Sequence, residues 1–295
     1  MKELVIISGK GGTGKTSIAA SFAVLAGNAV TADCDVDAAD LHLVLAPQVQ
    51  QRGGFRSGHE ARIRTEDCGG CGVCARLCRF GAVGQQQGPD GAVTYAIDPL
   101  ACEGCGLCAR YCPQQAIDLK ERDCGEWFVS ETRCGPLVHA SLDAAAENSG
   151  KLVSLVRDKA RTVAKEGGRE LIIVDGAPGI GCPVIASLTG ATAVLIVTEP
   201  TVSGAHDLER VAAVARHFAV PAWVCVNKWD LNPGMTEQIE ATVRRQGMQV
   251  AGRVRYDRDV TAAQVAARTI VEFTVNGAGG DVRALWLEMG RCLTV

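Results

Sequence analysis

Leu4-Val5-Ile6-Ile7-Ser8-Gly9-Lys10-Gly11-Gly12-Thr13-Gly14-Lys15-Thr16-Ser17 is the stretch on which the reading of this chain turns. Leu4 to Ser8 is an apolar, β-branched run with strand character, and Ser17 to Ala26 reads as a helix. The glycine-rich turn between them has the spacing of a phosphate-binding loop. Its glycines let successive backbone N–H groups wrap phosphate oxygens, and the following helix N-terminus adds its dipole. The nucleotide-binding residues expected here are Gly9, Lys10, Gly11, Gly12, Thr13, Gly14, Lys15, Thr16 and Ser17. Lys15 reaches the β and γ phosphates, and the Thr16 hydroxyl ligates magnesium.

Further along, other apolar runs end in polar groups. Ala29 to Cys34 leads into Asp33, Asp35 and Asp37, and Leu171 to Val174 ends in Asp175. Ala193 to Thr198 and Ala222 to Asn227 are two more strand-like runs, the second followed by Lys228, Trp229 and Asp230. Helical patterns cover Gly150 to Glu166, Gly204 to Phe218 and Met235 to Gln246, with a last strand at Met248 to Arg255. Strand–helix alternation of this kind specifies an α/β fold, with a doubly wound, mainly parallel sheet and right-handed crossovers. Open sheets of this type bind ligands at the carboxyl ends of their strands, where these aspartates stand.

Lys10, directly after the first glycine, gives the string Lys-Gly-Gly-Thr-Gly-Lys-Thr. In this the sequence resembles the deviant Walker A ATPases: MinD, ParA, the Mrp type and the nitrogenase iron protein, P-loop NTPases of the SIMIBI type. The resemblance implies an ATP-dependent homodimer in which Lys10 reaches the partner's phosphates. It also implies catalytic roles for Lys10, Lys15 and Asp35, with Asp35 orienting the attacking water. Magnesium falls to Thr16, Asp33, Asp35 and Asp175, with Asp37 in a supporting role, and Gly176 to Gly181 becomes the second switch. Taken literally, Asn227-Lys228-Trp229-Asp230 is the base-recognition string of GTPases; in the resembled group an asparagine at this strand end contacts adenine, so ATP is expected over GTP.

The second distinctive feature is the cysteines, fourteen in 295 residues. Eight form two runs of identical spacing, Cys68-x2-Cys71-x2-Cys74-x3-Cys78 and Cys102-x2-Cys105-x2-Cys108-x3-Cys112-Pro113. A zinc site would instead use two CxxC pairs with a longer spacer. These runs resemble two-cluster bacterial ferredoxins, in which three thiolates on a tight loop grip one 4Fe-4S cubane and the fourth cysteine serves the other. By that resemblance one cluster takes Cys68, Cys71, Cys74 and Cys112, and the other takes Cys78, Cys102, Cys105 and Cys108. Arg79 departs from the proline usual after the fourth cysteine. The expected organisation is therefore an ATPase domain at 1–56 and 123–295, interrupted at 57–122 by a small α+β ferredoxin-like insert. Short strands are expected at Ala92 to Ile97 and Ala116 to Leu119, with a hairpin or ordered loop at Trp127 to Leu142. The whole resembles MinD-superfamily ATPases with an inserted ferredoxin.

Of the remaining cysteines, Cys34, Cys225 and Cys292 fit core positions, and Cys124 and Cys134 flank the junction without ligand spacing. Cys182 follows Asp175 at the offset of a cluster ligand in the nitrogenase iron protein, which leaves it a candidate extra ligand. His42, His59, His139, His206 and His217 are scattered without a nucleophile or carboxylate partner. A net charge of −3 gives no electrostatic case for nucleic acid. No apolar run approaches the ~18 residues of a membrane span. Asp281 to Val295 carries only Arg283 and Arg291 as bases, against a membrane-binding tail. No signal-type segment precedes the first strand, so a reducing, cytoplasmic location is expected. The leading expectation is an ATPase coupled to electron transfer or to docking on a redox or metallocofactor protein. The alternatives are a scaffold or carrier for iron–sulfur or metallocofactor assembly and, third, a MinD-like spatial regulator.

Overall fold

The computed structural model describes residues 1–88, 91–143 and 149–294. In chain order the elements are β1 (Lys2–Ser8), α1 (Lys15–Ala26), β2 (Val30–Cys34), α2 (Leu41–Leu45), β3 (Gln48–Ile63), α3 (Val73–Leu77), β4 (Val83–Gln87), β5 (Val93–Ile97), α4 (Leu107–Arg110), β6 (Ile117–Thr132) and β7 (Gly135–Leu142). They continue as α5 (Ser149–Glu166), β8 (Leu171–Pro178), α6 (Cys182–Leu188), β9 (Ala193–Thr198), α7 (Val202–His217), β10 (Ala222–Asn227), α8 (Pro233–Arg245), β11 (Gln249–Val254), α9 (Asp259–Val265), α10 (Ile270–Phe273) and α11 (Gly277–Thr294).

The main sheet has the order β11-β10-β9-β1-β8-β2-β7-β6-β3. The pairs from β11 through β7 are parallel. Leu4, Val5, Ile6 and Ile7 are fully buried, as expected of a central strand covered on both faces. One side of the core joins Leu4, Ile6, Phe22, Leu195, Val282, Leu285 and Met289. On α5, Leu152, Val153, Val156, Ala160 and Ala164 form the buried stripe. Arg157 in that stripe pairs with Glu3 and donates to the carbonyls of Ala186 (2.6 Å) and Thr189 (2.8 Å), so the end of α6 is tied to α5.

The chain divides into two compact units. The first comprises Met1–Gly53, Glu126–Leu142 and Ser149–Val295, and Gly54–Gly125 makes up most of the second, a little wider at each end than the insert expected at 57–122. The second unit holds the antiparallel hairpin β4/β5, with Val83 opposite Ile97 and Gln87 opposite Val93, and the short helices α3 and α4. Its core is small: Ala61, Cys74 and Ile117 form a buried cluster with Ile63, Val83, Tyr95, Ile97, Cys102, Cys108 and Cys112 packed on it, and Phe55, Ala82, Ala116 and Cys124 are also buried.

Two strands exceed expectation. Ile117 begins a sixteen-residue strand instead of a four-residue one, and its far end with β7 accounts for Trp127 to Leu142. Gln48–Ile63 is also a strand, in a stretch to which the sequence assigns no element. Its first half, Gln48 to Arg52, is exposed and is held by backbone pairing at the sheet edge, whereas Phe55, Ser57, Ala61 and Ile63 turn one alternating face of its second half inward.

Candidate functional site

In the first unit, the carboxyl ends of β1, β2, β8 and β10 open on a cavity of about 630 Å³. Gly11 to Ser17, Asp35, Asp37, Asn227 and Lys228 line it, with Arg255, Tyr256 and Asp257 among its other walls. Helix α1 starts at Lys15 with Gly14 in the left-handed region (φ 90°), which aims the first-turn N–H groups at the cavity. A Cβ on Gly14 would lie 2.3 Å from Asn227 Nδ2, so both backbone and space demand glycine there.

The charged groups form two sets. In the first, Lys15 Nζ donates to Asp35 Oδ2 (2.7 Å) and stands 3.4 Å from Asp175 Oδ1. Burial pulls the Lys15 pKa down, but Asp175, Asp35 and Asp33 outweigh it and the net shift is upward. Burial raises the pKa of Asp175. Both Asp175 oxygens are buried and neither makes a well-formed hydrogen bond, with Lys15 and Thr16 as polar neighbours, an arrangement that fits a hydrated cation beside the Thr16 hydroxyl. Asp37 is exposed at the cavity, with its pKa raised by partial burial and by Asp35.

In the second set, Lys10 Nζ lies 2.5 Å from Glu199 Oε1 and donates to Ser203 Oγ (3.0 Å). Lys228 Nζ donates to the other Glu199 oxygen (3.2 Å) and to the Gly12 carbonyl (3.0 Å). Partial burial pushes the Glu199 pKa up, but the two lysines pull it lower overall.

Five of the expected nucleotide and magnesium residues, Gly9, Lys10, Asp33, Asp175 and Asp230, are not in the cavity lining. Asp33 is fully buried and accepts from the backbone N–H groups of Leu41 (3.1 Å) and Asp35 (3.2 Å). Burial and the nearby Asp175 hold its pKa well above the usual carboxylate range. It anchors the loop that carries Asp35. Asp230 accepts the backbone N–H of Tyr256 (2.7 Å) and fixes the cavity wall beside β11, while Asn227 Nδ2 donates to the Thr13 carbonyl (2.7 Å). The backbone of Gly9 packs against Asp207, and a Cβ there would come within 2.4 Å of that side chain.

Glu199, Tyr256 and Gln264, which donates to Ser17 Oγ (3.0 Å), were not singled out from the sequence. Glu199 carried a usable signal: it is a carboxylate at the carboxyl end of the apolar strand β9, just before the Thr201 cap of α7.

In the second unit, two smaller cavities are lined by cysteines. Cys68, Cys71, Cys74 and Cys112 line one, with Ile63, Tyr95 and Ile117. Cys78, Cys102, Cys105 and Cys108 line the other, with Leu77, Phe80 and Ile97. No three His, Cys, Asp or Glu side chains among the described residues converge on a single-ion site. Cys182 is exposed at the first residue of α6, while Cys34 and Cys225 are core residues. Cys124 donates to the Ser57 carbonyl (3.1 Å), and Cys134 packs with Leu41 and Leu137.

A parallel sheet with a glycine-rich loop entering a helix, a buried lysine and strand-end carboxylates around a nucleotide-sized cavity define a P-loop nucleotide-binding protein. The chain belongs to the CobQ/CobB/MinD/ParA nucleotide binding domain family, which it matches over residues 4–270. It is 34% identical over 236 residues to an uncharacterized protein of Methanocaldococcus jannaschii, covering 78% of this chain and 79% of that one. Among solved structures it resembles the cell division ATPase MinD of Pyrococcus furiosus, with a TM-score of 0.59 at 16% identity over 99% of both chains. The septum site-determining protein MinD of Pyrococcus horikoshii, complexed with Mg-ADP, gives the same TM-score and identity over 99% of this chain and 97% of that one. Among the described residues no helix is long and apolar enough to cross a membrane.

Proposed function

We propose that this protein is a Mg-dependent ATPase that acts as a nucleotide-sandwich homodimer and couples its cycle to electron transfer, or to docking on a redox or metallocofactor protein, through two 4Fe-4S clusters. The observation that carries the iron–sulfur part is the lining of the two cysteine cavities. Each gathers three cysteines of one run and the last cysteine of the other, the crossed ligand set of the resembled ferredoxins. Four-cysteine cavities in a unit whose buried apolar side chains are few and mostly small fit a group that contributes folding energy by ligation. Bound clusters supply one-electron transfer.

In the ATPase unit, the backbone N–H groups of Gly11 to Thr16 bind the phosphates, and Lys15 exchanges its carboxylate partners for the β and γ phosphates. Asp35, relieved of Lys15, orients the attacking water. Thr16 and Asp175 hold magnesium. Lys10 leaves Glu199 to neutralise charge on the partner's γ-phosphate. Asp230, occupied by the Tyr256 backbone, leaves guanine without its aspartate, which favours adenine.

The chain enters the second unit through β3, soon after the Asp35 loop and α2, and returns through β6. That connection is the route by which nucleotide state would reach the cysteine unit. The test is potentiometry and partner binding with and without Mg-ATP. A change in either is expected; identical values in both would remove the coupling.

A further inference from the structure

The two cysteine runs are internal duplicates, and residues at matched positions differ in charge and hydrogen-bonding capacity. Gly72 and Gly106 correspond; both precede the short helix of their run with positive φ (68° and 73°). A Cβ on Gly72 would meet the Tyr95 hydroxyl at 2.7 Å and the Arg76 guanidinium at 3.4 Å. On Gly106 it would meet Leu119 Cδ2 at 3.2 Å and nothing else within 4 Å. Arg76 donates to the Cys71 carbonyl (3.3 Å), whereas its counterpart Arg110 stands over the Tyr111 ring, 6.0 Å from its centroid. Gly69 in the first run is matched by Glu103 in the second, and Glu103 lines the cavity of Cys102, Cys105 and Cys108.

Beside the first loop stand a phenol from β5 and a cation held on the Cys71 carbonyl; beside the second stand a methyl group and a carboxylate, while its cations Arg110 and Arg79 lie over the Tyr111 and Phe80 rings. A one-electron reduction adds negative charge, which a nearby cation and an O–H donor favour and a carboxylate opposes. Potentials of such centres follow net charge and hydrogen bonding around the sulfurs.

We infer that the two cavities are redox-inequivalent: the cavity of Cys68, Cys71, Cys74 and Cys112 holds the higher-potential centre, with Tyr95 and Arg76 raising it and Glu103 lowering the other. This rests on the iron–sulfur reading above. One electron shared by the unit resides on the first centre, which is reduced by that electron while the second stays oxidised. Tyr95, Arg76 and Glu103 are tuning residues, not ligands.

The experiment is an EPR-monitored redox titration of the full chain with dithionite, alongside iron and sulfide content and circular dichroism of each variant. Two waves are expected in the native protein. The pair Tyr95→Phe and Arg76→Gln shifts the upper wave to more negative potential and leaves the lower one in place. Glu103→Gln shifts the lower wave to more positive potential and leaves the upper one in place. Coincident native waves, unmoved waves in the variants, or a shift of the opposite wave overturn the inference while leaving the clusters intact. Failure of the native chain to hold iron and sulfide overturns the inference together with the reading beneath it, and the iron content distinguishes that result from the others.

Discussion

Lys10 Nζ sits 2.5 Å from Glu199 Oε1 within a single chain, at the lysine expected to serve the partner's nucleotide. The pair is partly solvated, with the side chains 29% and 14% exposed, so its net worth lies in the range of about 0–1 kcal/mol. In the proposed homodimer, Glu199 would be a weak holder that the partner's nucleotide displaces. Glu199→Gln should strengthen ATP-dependent dimerisation up to about fivefold, read by sedimentation velocity at fixed ATP. Lys10→Ala should abolish it. Equal dimerisation in all three proteins would remove Lys10 from the interface.

Lys15 is the hub of the buried carboxylates, and its loss removes both phosphate contact and charge balance for Asp35 and Asp175. Lys15→Ala should lower the ATP turnover rate by roughly 100-fold or more, the usual cost of deleting a group that stabilises transition-state charge. Steady-state phosphate release measures it.

Base choice tests the Asn-Lys-x-Asp string. Because Asp230 holds the Tyr256 backbone, Asp230→Ala should cost about 1 kcal/mol of stability through the lost hydrogen bond and leave the preference for ATP over GTP unchanged. Competition binding and a denaturant titration separate the two effects. Loss of GTP binding with ATP binding intact would show that Asp230 reads guanine after all.

His139 packs against Phe128 and accepts or donates a 3.0 Å hydrogen bond with Ser130, and burial together with nearby His42 lowers its pKa to about 4. The unfolded chain protonates this histidine near pH 6.5, so the folded state is unpenalised above that value. It loses stability progressively as pH falls from about 6.5 toward 4. Thermal melting between pH 7 and 4 should show this loss, and His139→Gln should flatten part of it. An identical pH profile in the variant would relocate the acid sensitivity.

Much of this architecture is legible in the sequence because the signals are local. The strand–loop–helix at Leu4 to Ala26, the strands at Ala193–Thr198 and Ala222–Asn227, and each of the two cysteine runs announce themselves within short, continuous stretches of chain. What is not legible depends on long-range partners. The first half of Gln48–Ile63, through Arg52, is exposed polar sequence that becomes a strand by edge pairing. Asp33 looks like Asp35 in sequence, but a two-residue step along the chain places it under the loop, on the amides of Leu41 and Asp35. Glu199 matters because folding brings Lys10, from the first strand's end, and Lys228, from the end of β10, to it together.

The most direct measurement is the iron and acid-labile sulfide content of the anaerobically purified full chain, with its EPR spectrum after reduction. The account predicts about eight iron and eight sulfide per chain, held as two 4Fe-4S centres, and about half of each retained in a variant in which Cys68, Cys71 and Cys74 are replaced by serine. A chain that folds and hydrolyses ATP but binds zinc, or binds no iron, would contradict it.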